Sequence, residues 1–218
     1  MNVTQLTVPI PTLKPEDTGD TALRIMEEHH LTELPLVAEE NYLGLIQETD
    51  LLELDNHNDT LSASHYQNFK PAIIGSAHPY EAIRIANEMN ISVLPVVDNE
   101  QKYIGAVTRD SFLKYISENS GISEPGGIIV LEILPRNYTL PEIARICENE
   151  DVTILNLQVH PNERGMLEVT IKVNRSSLDA VVSSFERHKY HVTEIFGEKK
   201  HDEDMSEKYN LLMNYINM

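Results

Sequence analysis

The chain has 218 residues and a formal net charge of −18 at pH 7, from 35 acidic and 17 basic residues. A field of that sign repels phosphate backbones and anionic lipid, so we expect neither nucleic acid nor a membrane as a partner. The single cysteine, Cys147, excludes an intramolecular disulfide framework, and there is no signal-peptide pattern or apolar run of about eighteen residues, so we expect a cytoplasmic protein.

The same pattern of residues occurs twice along the chain. At an offset of sixty the matched pairs include Ala22 and Ala82, Ile25 and Ile85, Leu34 and Leu94, and Pro35 and Pro95. One inserted residue near Gln101 moves the offset to sixty-one, so that Gly44 falls on Gly105. Two copies of one small unit predict a pseudo-symmetric pair with a shared cleft.

Each copy predicts a helix, two strands and a short second helix. Apolar residues at helical spacing predict the first helix near residues 22–29 and 82–89. Short apolar runs predict strands at residues 34–37, 43–46, 93–97 and 103–107. Pro79 suits the first turn of the long helix in the second copy. Gly44 and Gly105, within the second strand of each copy, indicate close approach of another backbone or of a ligand.

Two polar segments divide the chain. Residues 54–70 lack periodicity and are predicted to connect the two copies. Residues 118–127 contain three glycines and a proline, which is the composition of a linker, so we place the domain boundary there.

Beyond the linker the pattern changes to βαββαβ. Strands are predicted at residues 128–134, 152–160, 167–174 and 190–196, with one helix opened by a capping box of Thr139 and Glu142 and another capped by Ser177. This order predicts a ferredoxin-like antiparallel sheet with two helices on one face. In the tail, the apolar residues Tyr209, Leu212, Met213 and Ile216 are spaced as on one face of a terminal helix.

The doubled pattern resembles a known family. A hydrophobic-Pro-hydrophobic-Val run, a turn, a Tyr-hydrophobic-Gly run and a later Asp-Leu-Leu resemble the CBS domain, and two copies in tandem resemble a CBS pair, or Bateman module. The βαββαβ segment after it resembles an ACT domain, and the whole order is similar to the acetoin-utilisation accessory protein family. The resemblance implies an α/β (α+β) chain with a CBS pair at 1–117 (copies at about 8–56 and 69–117), a linker at 118–127, an ACT-like domain at 128–198 and a tail helix at 199–218.

CBS pairs characteristically bind adenosine nucleotides between the copies, so the resemblance implies AMP, ATP or S-adenosylmethionine as the ligand. The family pattern has a hydroxyl three residues after the second-strand glycine, for phosphate, and an aspartate three further on, for the ribose. The first copy carries Gln47 in the hydroxyl position and Asp50 in the acid position. The second carries Thr108 in the hydroxyl position and Ser111 in the acid position.

The remaining parts of the implied site are one cation and two apolar walls. Arg109 is the local cation for a phosphate, since its guanidinium can bind two oxygens at once. The walls around an adenine would come from Leu34 with Pro35 and from Leu94 with Pro95. The alternative is that Thr108, Asp50 and Arg109 only cap helices and form surface pairs, without a ligand.

No pattern in the sequence predicts catalysis or a metal site. His188 and His191 lack a third ligand at zinc-like spacing, and Cys147 lies on an apolar helix face as an inert buried thiol would. The loop at 134–139 lacks the glycine through which ACT domains bind amino acids, so dimerisation alone is expected of that domain. We therefore predict a non-enzymatic regulatory homodimer with a regulated protein partner; the alternative is a ligand-free scaffold dimer.

Overall fold

The computed structural model describes residues 1–53, 57–61 and 69–197. The chain divides into two compact units, Met1–Ile116 and Ser117–Met218. Both units combine helices with sheets, so the predicted α+β class is confirmed. The predicted tail helix at 199–218 lies outside the described residues, as do residues 54–56 and 62–68 of the connection between the copies.

The two copies in the first unit share the order helix, strand, strand, helix, and the second copy has one short strand before it. In the first copy, α1 spans Gly19–His29, β1 Glu33–Ala38, β2 Asn41–Gln47 and α2 Glu48–Leu52. In the second copy, β3 spans Ile73–Ile74, α3 Pro79–Glu88, β4 Val93–Val97, β5 Tyr103–Thr108 and α4 Arg109–Asn119. β1 pairs with β2 and β4 with β5, both antiparallel, and both registers shift at the same place, after Leu36 and after Val96.

The ends of the long helices follow from local chemistry. The Thr18 side chain accepts the amide of Thr21 and so caps α1, whose C-cap, His30, has a left-handed φ of 55°. In α3, Pro79 occupies the first position, as predicted, and His78 accepts the amide of Tyr80. Each of these helices therefore begins where one of its free amides finds an acceptor.

The segment before each copy packs on the other copy. The amide of Val8 donates to the carbonyl of Ala106 at 2.9 Å. At the equivalent place in the other copy, the carbonyl of Phe69 accepts the amide of Leu45 at 2.9 Å. The Val3 side chain, in a 3₁₀ turn at Val3–Leu6, is 0 % exposed and belongs to the core of the second copy. The two copies are thus interlaced, so they cannot separate without exposing apolar surface.

Two connected clusters of aliphatic side chains form the core of this unit. One cluster contains Leu13, Ala22, Met26, Leu34, Leu36, Ile46, Leu51 and Leu61. The other contains Val3, Leu45, Ile73, Ala82, Ala86, Ile91, Val93, Leu94, Val96, Ala106, Val107 and Phe112. Leu45, a first-copy residue in the second cluster, and Leu31, which packs on both, join the two copies.

The second unit has the ferredoxin-like topology that the sequence predicts. Its elements are β6 (Ile128–Ile133), α5 (Leu140–Asn149), β7 (Ile154–Pro161), β8 (Leu167–Val173), α6 (Asp179–Arg187) and β9 (His191–Phe196). The strands lie in the order β7-β8-β6-β9, all antiparallel, with β7 and β9 at the edges. The sheet buries alternate residues such as Ile129, Leu131 and Val169 against apolar residues of both helices, including Ile143 and Phe185.

Thr139 is the N-cap residue of α5, as predicted, but the predicted capping box and the predicted Ser177 cap are wrong. The Thr139 side chain makes no cap hydrogen bond; its hydroxyl donates to the carbonyl of Asn137 at 3.3 Å, and the Glu142 carboxylate accepts the hydroxyl of Tyr190 at 2.9 Å. α6 has Leu178, not Ser177, at its N-cap position. Leu178 is only 4 % exposed, so apolar packing rather than a polar cap determines where α6 begins.

Candidate functional site

The two copies face each other about a pseudo-twofold axis. At one end of the strands the amide of Tyr42 donates to the carbonyl of Gln101 at 3.3 Å, and the amide of Tyr103 donates to the carbonyl of Glu40 at 2.8 Å. These contacts are equivalent at the offset of sixty-one. At the other end the hydroxyl oxygens of Thr32 and Ser92, equivalent at the offset of sixty, lie 3.2 Å apart.

The predicted polar residues of both half-sites lie at this second end. The amide of Glu48 donates to the carbonyl of Thr32 at 2.9 Å, and the amide of Arg109 donates to the carbonyl of Ser92 at 3.1 Å. α2 and α4 therefore begin beside the axis. Asp50 is half-buried in the first turn of α2, while Thr108 and Arg109 stand at the start of α4.

In the second half-site, Thr108 acts as a helix cap. Its Oγ1 accepts the amide of Ser111 at 3.3 Å and lies 3.1 Å from the Ser111 hydroxyl. Arg109 is exposed and donates from Nη2 to the Asn90 side chain across a long 3.5 Å. Among the described residues Arg109 has no carboxylate partner, so its guanidinium is available to an anion.

The four apolar residues proposed as walls are core residues in this arrangement. Leu34 and Leu94 are 0 % exposed, and Pro35 and Pro95 are also buried, in β1 and β4. They therefore present no surface to an adenine in this arrangement, and a ligand would reach them only if the strands moved apart. Their role in binding stays a prediction.

A buried carboxylate, that of Glu33, lies between the two copies. It is not one of the residues predicted for the site. Glu33 is 5 % exposed, and its carboxylate accepts both the backbone amide of Ser92, at 3.2 and 3.4 Å, and the Ser92 hydroxyl. The only sign of it in the sequence is a break in the repeat, since Glu33 falls on Val93 at the offset of sixty. Glu33 thus joins the first copy to the residue that also holds the amide of Arg109.

The opposite end of the pair is closed by ion pairs. Lys102 places its Nζ 3.0 Å from Glu40 of the other copy and 3.8 Å from Glu100. The hydrogen bond to Glu40 raises the pKa of Lys102. Because Lys102 and both glutamates are exposed, these ion pairs add little stability. They do neutralise the charge of Lys102, which is then not available to a ligand anion.

Gly105 allows the N-terminal segment at residues 7–10, which crosses to the second copy, to approach β5. A Cβ added at Gly105 would lie 3.2 Å from the Cβ of Thr7, tighter than ordinary van der Waals contact. The approach at this glycine is thus close, but it is made by the Thr7 side chain and not, as predicted, by another backbone. Beside it, a cavity of about 400 Å³ is lined by residues 7–10 and 103–105.

In the second unit, a cavity of about 540 Å³ adjoins the loop between β6 and α5. Arg136 and Lys189 supply positive charge to its lining, and Tyr190 donates to Glu142 on its inner side. Burial and the hydrogen-bonded Glu142 raise the pKa of Tyr190 to about 12. The loop at residues 134–139 contains no glycine. The prediction that this domain binds no amino acid stays untested.

The other titratable side chains of the second unit are dispersed. His188 contacts the Ser184 carbonyl at 2.8 Å, while His191 lies 3.9 Å from Glu132 on the sheet. Within the described ranges no three His, Cys, Asp or Glu side chains are grouped to hold a metal. Cys147 is 0 % exposed, so its predicted burial is confirmed, and burial raises the pKa of its thiol to about 11.

The first unit is thus a duplicated α+β module whose two copies place polar residues at one end of their shared axis. Residues 3–57 and 74–118 match the family model of the CBS domain. The two matches support a tandem pair of CBS domains in this unit. No helix in the described part of the chain is long and apolar enough to cross a membrane.

Curated relatives match about half of the chain. The chain is 32 % identical over 114 residues to a homoserine O-acetyltransferase of Methanohalobium evestigatum, a match that covers 50 % of this chain and 22 % of that enzyme. It is 30 % identical over 105 residues to an inosine-5'-monophosphate dehydrogenase of Korarchaeum cryptofilum, covering 47 % of this chain and 22 % of that one. The chain thus spans about a fifth of the length of these relatives.

Solved structures are similar over about half of the chain. The crystal structure of CBSX2, an Arabidopsis thaliana protein, in complex with AMP has a TM-score of 0.48 and 24 % identity, covering 54 % of this chain and 96 % of that one. A CBS domain pair/ACT domain protein of Thermotoga maritima has a TM-score of 0.48 and 22 % identity, covering 54 % and 98 %.

Proposed function

We propose that this chain is a non-catalytic regulatory module that binds an adenosine nucleotide between its two CBS copies. The observation that carries the proposal is the position of Thr108 and Arg109 at the start of α4, beside the pseudo-twofold axis. CBS pairs are typically regulatory and bind adenosine ligands. Turnover by this chain is not expected, since no group of residues described above has the arrangement of a catalytic site.

The chemistry of this corner suits a phosphate. The Arg109 guanidinium can bind two phosphate oxygens, and the first turn of α4 contributes the positive end of its helix dipole. The Thr108 hydroxyl can donate to the same phosphate if it leaves Ser111, and Asp50 can accept ribose hydroxyls. The ligand would stabilise whichever arrangement of the two copies it binds more tightly.

Calorimetry with AMP, ATP and S-adenosylmethionine tests this proposal. AMP is the first probe because the similar plant protein was crystallised with it. We expect Arg109→Ala to weaken AMP binding about ten- to a hundredfold, the range for a lost hydrogen bond to a charged group. Arg187→Ala, which removes an exposed arginine of the second unit that pairs with Glu150, should leave it unchanged. Silence of the wild-type chain with all three ligands would remove the nucleotide from the proposal.

We further propose that the second unit is an ACT-like dimerisation domain that transmits the ligand signal to a protein partner in the cytoplasm. Its edge strands β7 and β9 each leave one row of backbone groups unpaired within the described sheet, which favours pairing between two copies of the chain.

Light scattering should give twice the chain mass, and Ile195→Pro, which removes an amide from edge strand β9, should lower the dimer fraction. A monomer at all concentrations would contradict dimerisation. The kinship with acetoin-utilisation accessory proteins stays a prediction.

A ligand-free scaffold is the second candidate function. It is favoured by the full burial of Leu34 and Leu94 and by the hydrogen bond between Thr108 and Ser111. These apolar and polar side chains already have partners within the chain and need no ligand. In that case a protein partner would be recovered in a pull-down without nucleotide, and added AMP would not change the yield. The nucleotide-dependent module predicts that the yield changes with AMP.

A further inference from the structure

The charge at the cleft end of the CBS pair is mostly negative. Residues 47–50 and 108–111, with Glu33 between the copies, bring four acids and one base to this end of the molecule. The acids of these residues are Glu33, Glu48, Asp50 and Asp110, and their base is Arg109; Arg24, which lines a cavity with Thr32 and Glu48, is paired with Glu28. One guanidinium can balance one phosphate group, but it cannot balance a chain of them.

Glu33 is the acid whose charge is least screened. It is 5 % exposed, whereas Asp110 is exposed and Glu48 and Asp50 are half-buried. Its hydrogen-bond donors are the amide and hydroxyl of Ser92, and no cation contacts it among the residues that the structure describes. A charge held in such a place acts through a lower effective dielectric constant than a surface charge does.

The carboxylate is also close to where a phosphate would lie. Ser92 accepts the amide of Arg109 through its carbonyl and donates to Glu33 through its amide and hydroxyl. Glu33 is therefore separated from the start of α4 by a single residue. The equivalent position in the second copy is Val93, so the negative charge is a feature of one side of the cleft only.

We propose that Glu33 makes this cleft selective against negative charge, so that the site takes adenosine ligands with no phosphate or one, or a sulfonium such as S-adenosylmethionine, in preference to ATP. This selectivity rests on the proposed nucleotide-binding function and specifies its ligand class. Each additional phosphate charge within about 8 Å of a buried carboxylate weakens binding on the order of tenfold at an effective dielectric constant of about 20–30.

The test is a ligand series on the full chain and on Glu33→Gln, which keeps the shape and a hydrogen-bond acceptor but removes the charge. Adenosine, AMP, ATP and S-adenosylmethionine are titrated by calorimetry. In the wild type we expect ATP to bind most weakly. In Glu33→Gln we expect ATP to gain about tenfold or more and adenosine to change by less than about twofold, since only the charged ligand is relieved. Glu186→Gln removes the same charge from α6, and is expected to change neither.

The possible results separate the selectivity from the proposed function. Equal gains for adenosine and ATP in Glu33→Gln, or no gain for either, overturn the selectivity and leave the nucleotide site standing. Binding of ATP by Glu33→Gln but not by the wild type supports it. No binding by either protein overturns both. If Glu33→Gln does not fold, the wild type still decides: the proposal predicts that ATP binds more weakly than adenosine at every salt concentration, because a buried charge is little screened, and tighter binding of ATP than of adenosine overturns it.

Discussion

At the scale of single residues, Tyr190 makes the second unit sensitive to alkaline pH. Burial and Glu142 raise its pKa from 10.0 to about 12. The unfolded chain therefore loses this proton first, so the stabilisation is complete below pH 10 and is lost as the pH rises toward about 12. We expect Tyr190→Phe to lower the free energy of unfolding by about 1 kcal/mol at neutral pH, and to flatten its decline above pH 10. Urea unfolding at several pH values measures both.

The control for that experiment is Tyr138→Phe, which removes another tyrosine hydroxyl of the same unit. Tyr138 only packs against the outside of the same core and makes no described side-chain hydrogen bond. Its substitution should leave the alkaline decline as steep as in the wild type. A decline that flattens equally in both variants would mean that the Tyr190 hydrogen bond is not responsible.

The predictability of site residues differs from one residue to another. Thr108 and Arg109 could be placed from sequence, because their spacing from Gly105 is local and the repeat supplies the register. Glu33 could not, because its burial depends on Ser92, fifty-nine residues away. The burial of Leu34 and Leu94 was also beyond the motif, since apolar residues suit a cleft wall and a core equally.

At the scale of elements, two glycines beside β8 should respond very differently to alanine. Gly126 has φ +147°, and an added Cβ would lie 1.9 Å from the backbone oxygen of Val173, whereas Gly165 has φ +73° and open space around it. Gly126→Ala should lower the free energy of unfolding by about 3 kcal/mol or more, because neither the backbone nor the oxygen can yield. Gly165→Ala should cost about 1–2 kcal/mol, the left-handed penalty alone. Circular dichroism in urea compares them, and equal losses would contradict the close contact.

Elements with a strong local pattern could be predicted, and those fixed by distant contacts could not. The first helices and the hairpins of both copies and the βαββαβ order followed from periodicity and turns, whereas α4, predicted as a short helix, has eleven residues and extends into the predicted linker. The capping box of Thr139 with Glu142 and the cap at Ser177 do not form, because Glu142 accepts the Tyr190 hydroxyl and Leu178 packs in the core at the start of α6. The docking of the first ten residues on the second copy was missed too, although Pro11 and Pro71 keep the offset of sixty.

At the scale of the whole molecule, the net charge of −18 should make stability depend on salt. Mutual repulsion of surface carboxylates disfavours the compact state, and added ions screen it. We expect the melting temperature to rise between low and physiological NaCl, by about 4–8 °C for each kcal/mol relieved in a unit of about 100 residues. KCl should act equally, because screening does not depend on the cation. A melting temperature that falls with salt would contradict this balance of charges.

The segments that precede each copy, residues 1–10 and 69–71, pack on the other copy and so determine how the chain responds to a cut between the copies. A nick between residues 61 and 69 would leave one fragment holding Val3, which completes the core of the second copy, and another holding Phe69 and Pro71, which bond to Leu45 and Tyr42 of the first. Neither fragment is then whole without its neighbour. Two separately expressed halves should consequently reassemble by complementation, each supplying the packing segment that the other lacks.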